Sequence, residues 1–502
     1  MHSDASSLAT AFGREITGPL RVVIIAPPGY GFSETFREIA ETVLYGLREL
    51  GHEATLAVND FDPRATNILL GAHLLDERDA DRLPDRIVVY NLEQVVGESQ
   101  WIKPVYVALV RRHTTWDYSP RNIAQWRRFA CANDIRHVPI GYAPELTRIA
   151  HPEDRDIDVL FYGTVNERRA GILRGLEEAG LRVSVLVGSF GAERDAAIAR
   201  ARVVLSMHFF RSQIFEAVRV SYLLANRKAV VAEVDEQTEV EPEFRDAVLT
   251  ATYDQLVDAC VELCYDDAAR EKLEERGFER FRGRRESEIL RQALAQPKAG
   301  AASDGEAVLP KIINLGSGRG WNLECLNIDV DPDWMPDVVW DFNRAFPPQH
   351  PVDLGRFGAR AVPKGYFSEI RASHVLEHIR ELATAMRSCL ELLEVGGIMD
   401  IEVPYDLSHG AWQDPTHVRA MNERSWLYYT EWFWYLGWDE ARFDVVDLKF
   451  LLSDHGERLQ AQGRPLDELV REPRAVDAMR VVLRKRRLTP EEETRVHSRW
   501  RN

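Results

Sequence analysis

The 502-residue chain has no apolar run approaching the roughly 20 residues that a membrane-spanning helix needs, so no transmembrane segment is expected. The opening Met1-His2-Ser3-Asp4 has neither a basic region nor an apolar core, so no signal peptide is expected either. Cysteine is sparse. The five residues, Cys131, Cys260, Cys264, Cys325 and Cys389, are odd in number and lack metal-type pairing. This argues against a disulfide scaffold and suits free thiols in a reducing cytoplasm, the expected location. Cys260 and Cys264 lie one helical turn apart among apolar residues and read as core packing. Basic charge is also short: 63 Lys and Arg stand against 80 Asp and Glu, a net charge of −17. Nucleic acid is therefore not an expected partner, because phosphate contacts need clustered Lys and Arg. The one basic run, Arg484-Lys485-Arg486-Arg487, reads as a solvated face. Peripheral contact with a membrane is left open.

What remains is ordinary soluble-globular composition, 45% hydrophobic and 28% charged. At about 150 residues per domain, the length suggests roughly three domains. Residues 1–20 read as a leader. Arg21 to Ala26 is a short apolar run of buried parallel-strand type, followed by a helical pattern to Leu50 and a second strand, Ala54 to Val58. The alternation resumes with Asn67 to Leu70 and Ile87 to Asn91, and predicts a doubly wound α/β domain over 21–148. A second one, over 149–294, has strands at Asp158 to Gly163, Arg182 to Gly188, Arg202 to Ser206 and Lys228 to Ala232, then a helical finish. Residues 295–308, rich in Ala, Gly, Ser and charge, form the best linker. A third domain is expected over 309–487, with 488–502 as a tail. No short-period repeat is present.

In the third domain, Ile312-Ile313-Asn314-Leu315-Gly316-Ser317-Gly318-Arg319-Gly320 reads as a strand and a glycine turn, and Asn327-Ile328-Asp329 as a second strand ending in a carboxylate. Glycines let backbone approach a ligand closely, and an acid at the next strand end can accept both hydroxyls of a ribose. Asp341 ends a further run, and His374-Val375-Leu376-Glu377-His378-Ile379 and Gly396-Gly397 follow. Over residues 309 to 450 this order of motifs resembles class I S-adenosylmethionine-dependent methyltransferases. The resemblance implies S-adenosylmethionine as cofactor, with Asn314, Gly316, Ser317, Gly318, Gly320, Asp329, Asp341 and His374 around it. Only about ten residues separate Gly316 from the strand carrying Asp329, so the usual first helix is expected to be very short or absent, which argues against a dinucleotide site. For the acceptor, histidine suits proton removal near neutral pH; His417 and Asp414 are the candidates. A metal is not expected, since Asp414 and His417 lack a third ligand at helical spacing. The aromatic cluster from Trp426 to Tyr435 reads mainly as core, with a few faces able to stack on a sugar.

In the first two domains, Phe161-Tyr162-Gly163-Thr164 with Arg168-Arg169, and Glu216 to Arg219 opening a helix, resemble the GT-B fold of nucleotide-sugar-dependent glycosyltransferases. The resemblance implies a nucleotide-sugar donor held by Gly163, Arg168, Arg169, His208, Glu216 and Arg219. It also makes Glu93 and Asp117 candidate acceptor-side bases. Glu216 is followed eight positions on by Leu224, so the paired acids of many retaining members are missing and stereochemistry stays open. The fold class expected is α/β, two Rossmann-like domains in GT-B arrangement followed by a class I methyltransferase domain. The preferred function is a fused glycosyltransferase and methyltransferase with a glycan or lipid-linked sugar acceptor. A methyltransferase with a non-catalytic GT-B half, and a non-enzymatic scaffold, remain as alternatives.

Overall fold

The computed structural model describes residues 18–97, 99–129, 131, 134–209, 214–296, 308–347 and 350–499. Most of the expected leader and linker and the end of the tail, residues 1–17, 297–307 and 500–502, lie outside the described residues. The chain divides chiefly at Gly305 and Glu306 into two compact units.

The first unit holds two parallel sheets. One contains β1 (Leu20–Ile24), β2 (Ala54–Val58), β3 (Thr66–Leu70), β4 (Ile87–Asn91), β5 (Thr114–Asp117) and β6 (Ile135–His137), in spatial order 2-1-3-4-5-6. The other contains β7 (Ile157–Tyr162), β8 (Val183–Leu186), β9 (Ala201–Ser206), β10 (Ala229–Glu233) and β11 (Leu249–Ala251), in order 11-10-9-7-8. Strands β3, β4 and β10 are buried along their whole length. Sheets covered by helices on both faces require this, and it is why the strands read in the sequence as unbroken apolar runs.

The two sheets follow the two expected Rossmann-like halves, which are joined within one compact unit. The helix Glu286–Ala295, at the end of the expected second domain, returns to pack on the helix Arg37–Glu49 of the first. Its Glu286 carboxylate accepts the Gly141 N–H at 2.7 Å, and Tyr142 and Arg285 form a parallel bridge. Arg194 of the second half bonds Glu38 of the first at 2.6 Å with both side chains buried. Apolar stripes on both helices are satisfied by one another, which a reading along the chain does not reveal.

The second unit carries β12 (Ile312–Leu315), β13 (Leu326–Asp329), β14 (Val338–Val339), a two-stranded ribbon of β15 (Val352–Asp353) and β16 (Ala359–Arg360), then β17 (Phe367–Ser373), β18 (Leu393–Pro404), β19 (Ala441–Leu452) and β20 (Val476–Arg487). The main sheet runs 14-13-12-17-18-20-19, parallel through β18, with β20 antiparallel to both its neighbours. Only a single 3-10 turn, Gly318–Gly320, stands where a first helix would be. The expected tail is not loose: the helix Pro490–Arg499 buries Val496 in the core, and Glu492 takes hydrogen bonds from Arg442 and Arg486. The basic run at Arg484 to Arg487 is thus the end of a paired strand, with Arg486 also bonded to Asp444 at 2.9 Å. The three larger sheets belong to α/β, Rossmann-like folds.

Candidate functional site

In an open parallel sheet, ligands bind at the carboxyl ends of the two neighbouring strands from which the chain winds off in opposite directions. In the second sheet of unit 1 those strands are β7 and β9. Gly163 follows β7 with φ of +130°, and a Cβ there would come within 3.0 Å of Arg219 Nη2 and 3.8 Å of Arg169 Nη1. Arg169 lies in the first turn of the helix Glu167–Glu178, whose N-cap Asn166 accepts its N–H at 3.0 Å. Its guanidinium donates to the carbonyls of Thr164 at 2.8 Å, His208 at 3.3 Å and Met207, so it ties the two strand ends together. Arg219 Nη1 is buried without an acceptor, and the nearest carboxylate, Glu216, stands 3.9 Å from Nη2. Burial, followed by the adjoining Arg219, brings the Arg169 pKa down to about 10. Two neighbouring guanidiniums, one held by carbonyls and the other with no close acceptor, form a site with unspent positive charge, suited to an anion such as a diphosphate.

Other expected donor residues divide. Arg168 does not point to this anion site: it is paired through two bonds with the buried Glu233 carboxylate and lies 4.1 Å from the Tyr253 ring centroid. Glu233 ends β10, so a long-range ion pair takes this guanidinium. His208 follows β9, is 3% exposed, and has both ring nitrogens buried without hydrogen-bond partners. Glu216 is the N-cap of the helix Ala217–Ala225.

In the first sheet the corresponding strands are β1 and β3. His73, just beyond β3, stands 3.6 Å from Glu93, which follows β4. Burial, then Glu216, pushes the Glu93 carboxyl up to about 7, a range suited to a base. Asp117 differs. It is fully buried, and accepts from Asn91 at 2.6 Å, Ser119 N at 2.8 Å, Trp126 Nε1 at 3.0 Å and Asn122 at 3.1 Å. Burial carries its pKa to about 7 against those four donors. With its lone pairs engaged and no exposed surface, Asp117 acts as a hub ordering the loop ends of β4 and β5, which corrects its expected role as a base.

In unit 2 the sheet turns at β12 and β17. Gly316 follows β12 with φ of +62°, and a Cβ there would lie 1.8 Å from Val375 Cγ2, so only glycine permits this packing of one strand end on the other. The carboxylate of Asp329, at the end of β13, clasps the loop: Oδ2 accepts Gly318 N–H at 2.8 Å and Oδ1 accepts Asp331 N–H at 3.0 Å. Asn314 donates to the Gly320 carbonyl at 2.8 Å, and Ser317 Oγ is buried without a partner. The glycine cradle, the orphaned hydroxyl and the acid with lone pairs to spare fit the ribose end of an adenosyl cofactor. Asp341 lies two residues beyond β14 and accepts both the N–H and the side-chain amide of Asn343, at 2.9 and 2.7 Å. His374 has φ of 53° and its ring stands 3.5 Å from Glu377 and 3.3 Å from Glu402. Glu377 is the main cause of the raised pKa of His374.

No family model and no curated protein matches this chain. Solved structures of two kinds do. A SAM-dependent methyltransferase from Archaeoglobus fulgidus is 15% identical, over 35% of this chain and 86% of its own, with a TM-score of 0.24. AviGT4, a glycosyltransferase involved in avilamycin A biosynthesis, is 14% identical over 55% of this chain and 96% of its own, with a TM-score of 0.37. The DNA-modifying enzyme β-glucosyltransferase is 10% identical over 55% of this chain and 100% of its own, with a TM-score of 0.39. Among the described residues, no helix is long and apolar enough to cross a membrane.

The fold also assembles residues that spacing alone does not. His417, 39 positions beyond His378, lies with its ring centroid 4.6 Å from that of His378, and its Nε2 4.0 Å from both Glu377 and Asp414. Glu377, in the turn Leu376–His378, was legible only as part of a motif without a role. Trp412 is 69% exposed, beside Ala411, whose carbonyl meets His417 Nδ1 at 3.1 Å. The aromatic cluster splits: Trp426, Tyr429 and Phe433 are core, whereas Tyr428, Trp432 and Tyr435 are exposed, with Tyr428 edge-on to both others at 5.1 and 5.7 Å.

Proposed function

We propose that the chain is an enzyme of two activities, a nucleotide-sugar-dependent glycosyltransferase in unit 1 and an S-adenosylmethionine-dependent methyltransferase in unit 2, acting on a glycan or lipid-linked sugar. The observation that carries this reading is that each unit has a polar site of the matching chemistry at its sheet's switch point. One is the Arg169 and Arg219 pair beside Gly163; the other is the Gly316 to Gly320 loop clasped by Asp329.

In unit 1, Arg219 takes the diphosphate and stabilises its charge as the sugar departs, while Arg169 holds the crevice open. Glu216 addresses the ribose of the donor, His208 lines the same crevice, and Glu93 serves as acceptor-side base. In unit 2, S-adenosylmethionine supplies an electrophilic methyl group when bound. Asp329 accepts the ribose hydroxyls, Asp341 stands on the adenine side, and His374 with the loop residues Asn314 and Ser317 completes the pocket. Glu377, His378, Asp414 and His417 face the acceptor. The exposed faces of Trp412, Tyr428, Trp432 and Tyr435 suit stacking on sugar rings. Fusion keeps the product of one site at high local concentration for the other.

The test is thermal melting against S-adenosylhomocysteine and a panel of nucleoside diphosphates. A ligand at a hundred times its dissociation constant should stabilise its unit by about 2.7 kcal/mol. A shift with S-adenosylhomocysteine alone would favour the second reading, a methyltransferase whose first unit only binds glycan. No shift with either would favour a scaffold.

Arg219→Ala is expected to weaken nucleoside diphosphate binding by about 1.5–3 kcal/mol, the worth of a charged hydrogen bond, while methyl transfer is retained. Arg219 is the better probe because removing Arg169 would also release three carbonyls. Equal loss of both activities in a folded variant would rule out independent sites.

A further inference from the structure

We propose that Glu377, His378 and His417 hold a divalent first-row transition-metal ion beside the nucleoside loop, with Asp414 as an outlying fourth ligand. Donor atoms of the first three all lie within 4.8 Å of one another. The expectation of no metal rested on the lack of a third ligand near Asp414 and His417 in sequence. The fold supplies two from the turn after β17.

Hydrogen bonding sets the state of each ring. A backbone carbonyl only accepts, so the contact of His417 Nδ1 with the Ala411 carbonyl, at 3.1 Å, places a proton on Nδ1, and in the neutral ring the lone pair is then on Nε2. The Thr416 hydroxyl donates its single proton to Asp414 at 2.6 Å, so it must accept from His378 Nδ1, which stands 2.9 Å away. In the neutral ring the lone pair of His378 is therefore likewise on Nε2. A third acceptor closes the group: Glu377 is 2% exposed, and its carboxylate makes no close hydrogen bond, with only His374 Nδ1 facing Oε1 at 3.5 Å. His374, at 3.5 Å and itself half exposed, offsets part of that charge from the solvent side.

With both rings neutral, the buried Glu377 carboxylate has only His374 beside it to balance its charge, and a metal cation held by the two imidazoles and the carboxylate would supply the missing charge. Bonds of about 2.0–2.2 Å to nitrogen and oxygen require only small side-chain movements to close this group on an ion. Two imidazoles and one carboxylate favour a borderline ion such as Zn²⁺, Co²⁺ or Mn²⁺ over Mg²⁺ or Ca²⁺, which prefer all-oxygen ligands. The Ala411 carbonyl and the Thr416–Asp414 pair are the outer partners that orient metal-bound imidazoles. Because Val375 packs on Gly316, the ion would lie next to the cofactor loop. It would leave coordination positions for an acceptor oxygen, a part of the proposal that rests on the methyltransferase reading.

The test uses the full chain, stripped with a chelator and titrated with Co²⁺, followed by visible absorption and by metal analysis after gel filtration. About one equivalent should bind with d–d bands, Zn²⁺ should displace it, and Mg²⁺ should not. His378→Gln and His417→Gln should lose the bands. Thr416→Val, an exposed and conservative change, should weaken Co²⁺ binding about 10- to 100-fold through the orientation of His378. No bound Co²⁺, or unchanged bands in folded His378→Gln and Thr416→Val variants, would overturn the site. S-adenosylhomocysteine calorimetry on the same samples separates the two readings. Cofactor binding without metal removes the metal site alone, and metal binding without cofactor removes the methyltransferase reading and leaves the site standing.

Discussion

Replacement of His417 by Gln is expected to lower methyl transfer by on the order of a hundredfold or more, the usual worth of a positioned acid, base or ligand at the reacting group, while cofactor binding stays near normal. The ring is 8% exposed, its Nδ1 is committed to the Ala411 carbonyl, and only Nε2 points toward Glu377 and Asp414. Gln can still donate to the Ala411 carbonyl but offers no imidazole lone pair. His417 is placed by the loop after β18, whereas the cofactor loop belongs to β12, so the two functions should separate. Turnover and S-adenosylhomocysteine affinity measured on one preparation check this. Full turnover would remove His417 from the reaction, and a parallel loss of cofactor binding would show that the loop collapses with the ring.

Asp329→Ala is expected to weaken S-adenosylhomocysteine binding by roughly 1.5–3 kcal/mol, about 10- to 150-fold, since a charged acceptor of ribose hydroxyls is removed. The same change frees the Gly318 and Asp331 N–H groups that the carboxylate now accepts. The effect should therefore lie toward the upper end, because the loop loses its anchor along with the ligand's partner. Donor binding in unit 1 should not change. Calorimetry reads the affinity and melting reads the fold; unchanged affinity would sink the assignment of this loop to a nucleoside.

The chain shows where local pattern suffices and where it does not. Buried parallel strands such as β4 and β10 announce themselves as apolar runs because both faces are covered. The Gly316 turn is equally local, since a left-handed backbone and a close neighbour both demand glycine. The fates of individual polar side chains were less visible. Arg168 and Arg169 are adjacent in sequence, yet one is taken by Glu233 and the other spans the crevice through carbonyls. Glu93 and Asp117 are both carboxylates near strand ends. The donors around Asp117, from Asn91, Asn122 and Trp126, enclose it, whereas Glu93 stays partly open beside His73.

By itself the sequence determined the α/β class, the positions of the buried apolar strands such as β1, β4, β7 and β10, the glycine loop with its acid, and the absence of a full first helix after Gly316, because each depends on residues within one or two elements. Only the tertiary structure decided that the helix Glu286–Ala295 closes the first unit on itself, that the helix at Pro490–Arg499 belongs to the core, and that Glu377, His378 and His417 meet. Those outcomes depend on which strands become neighbours and in what register. That is set by the burial of many side chains together, and no short stretch of chain carries it.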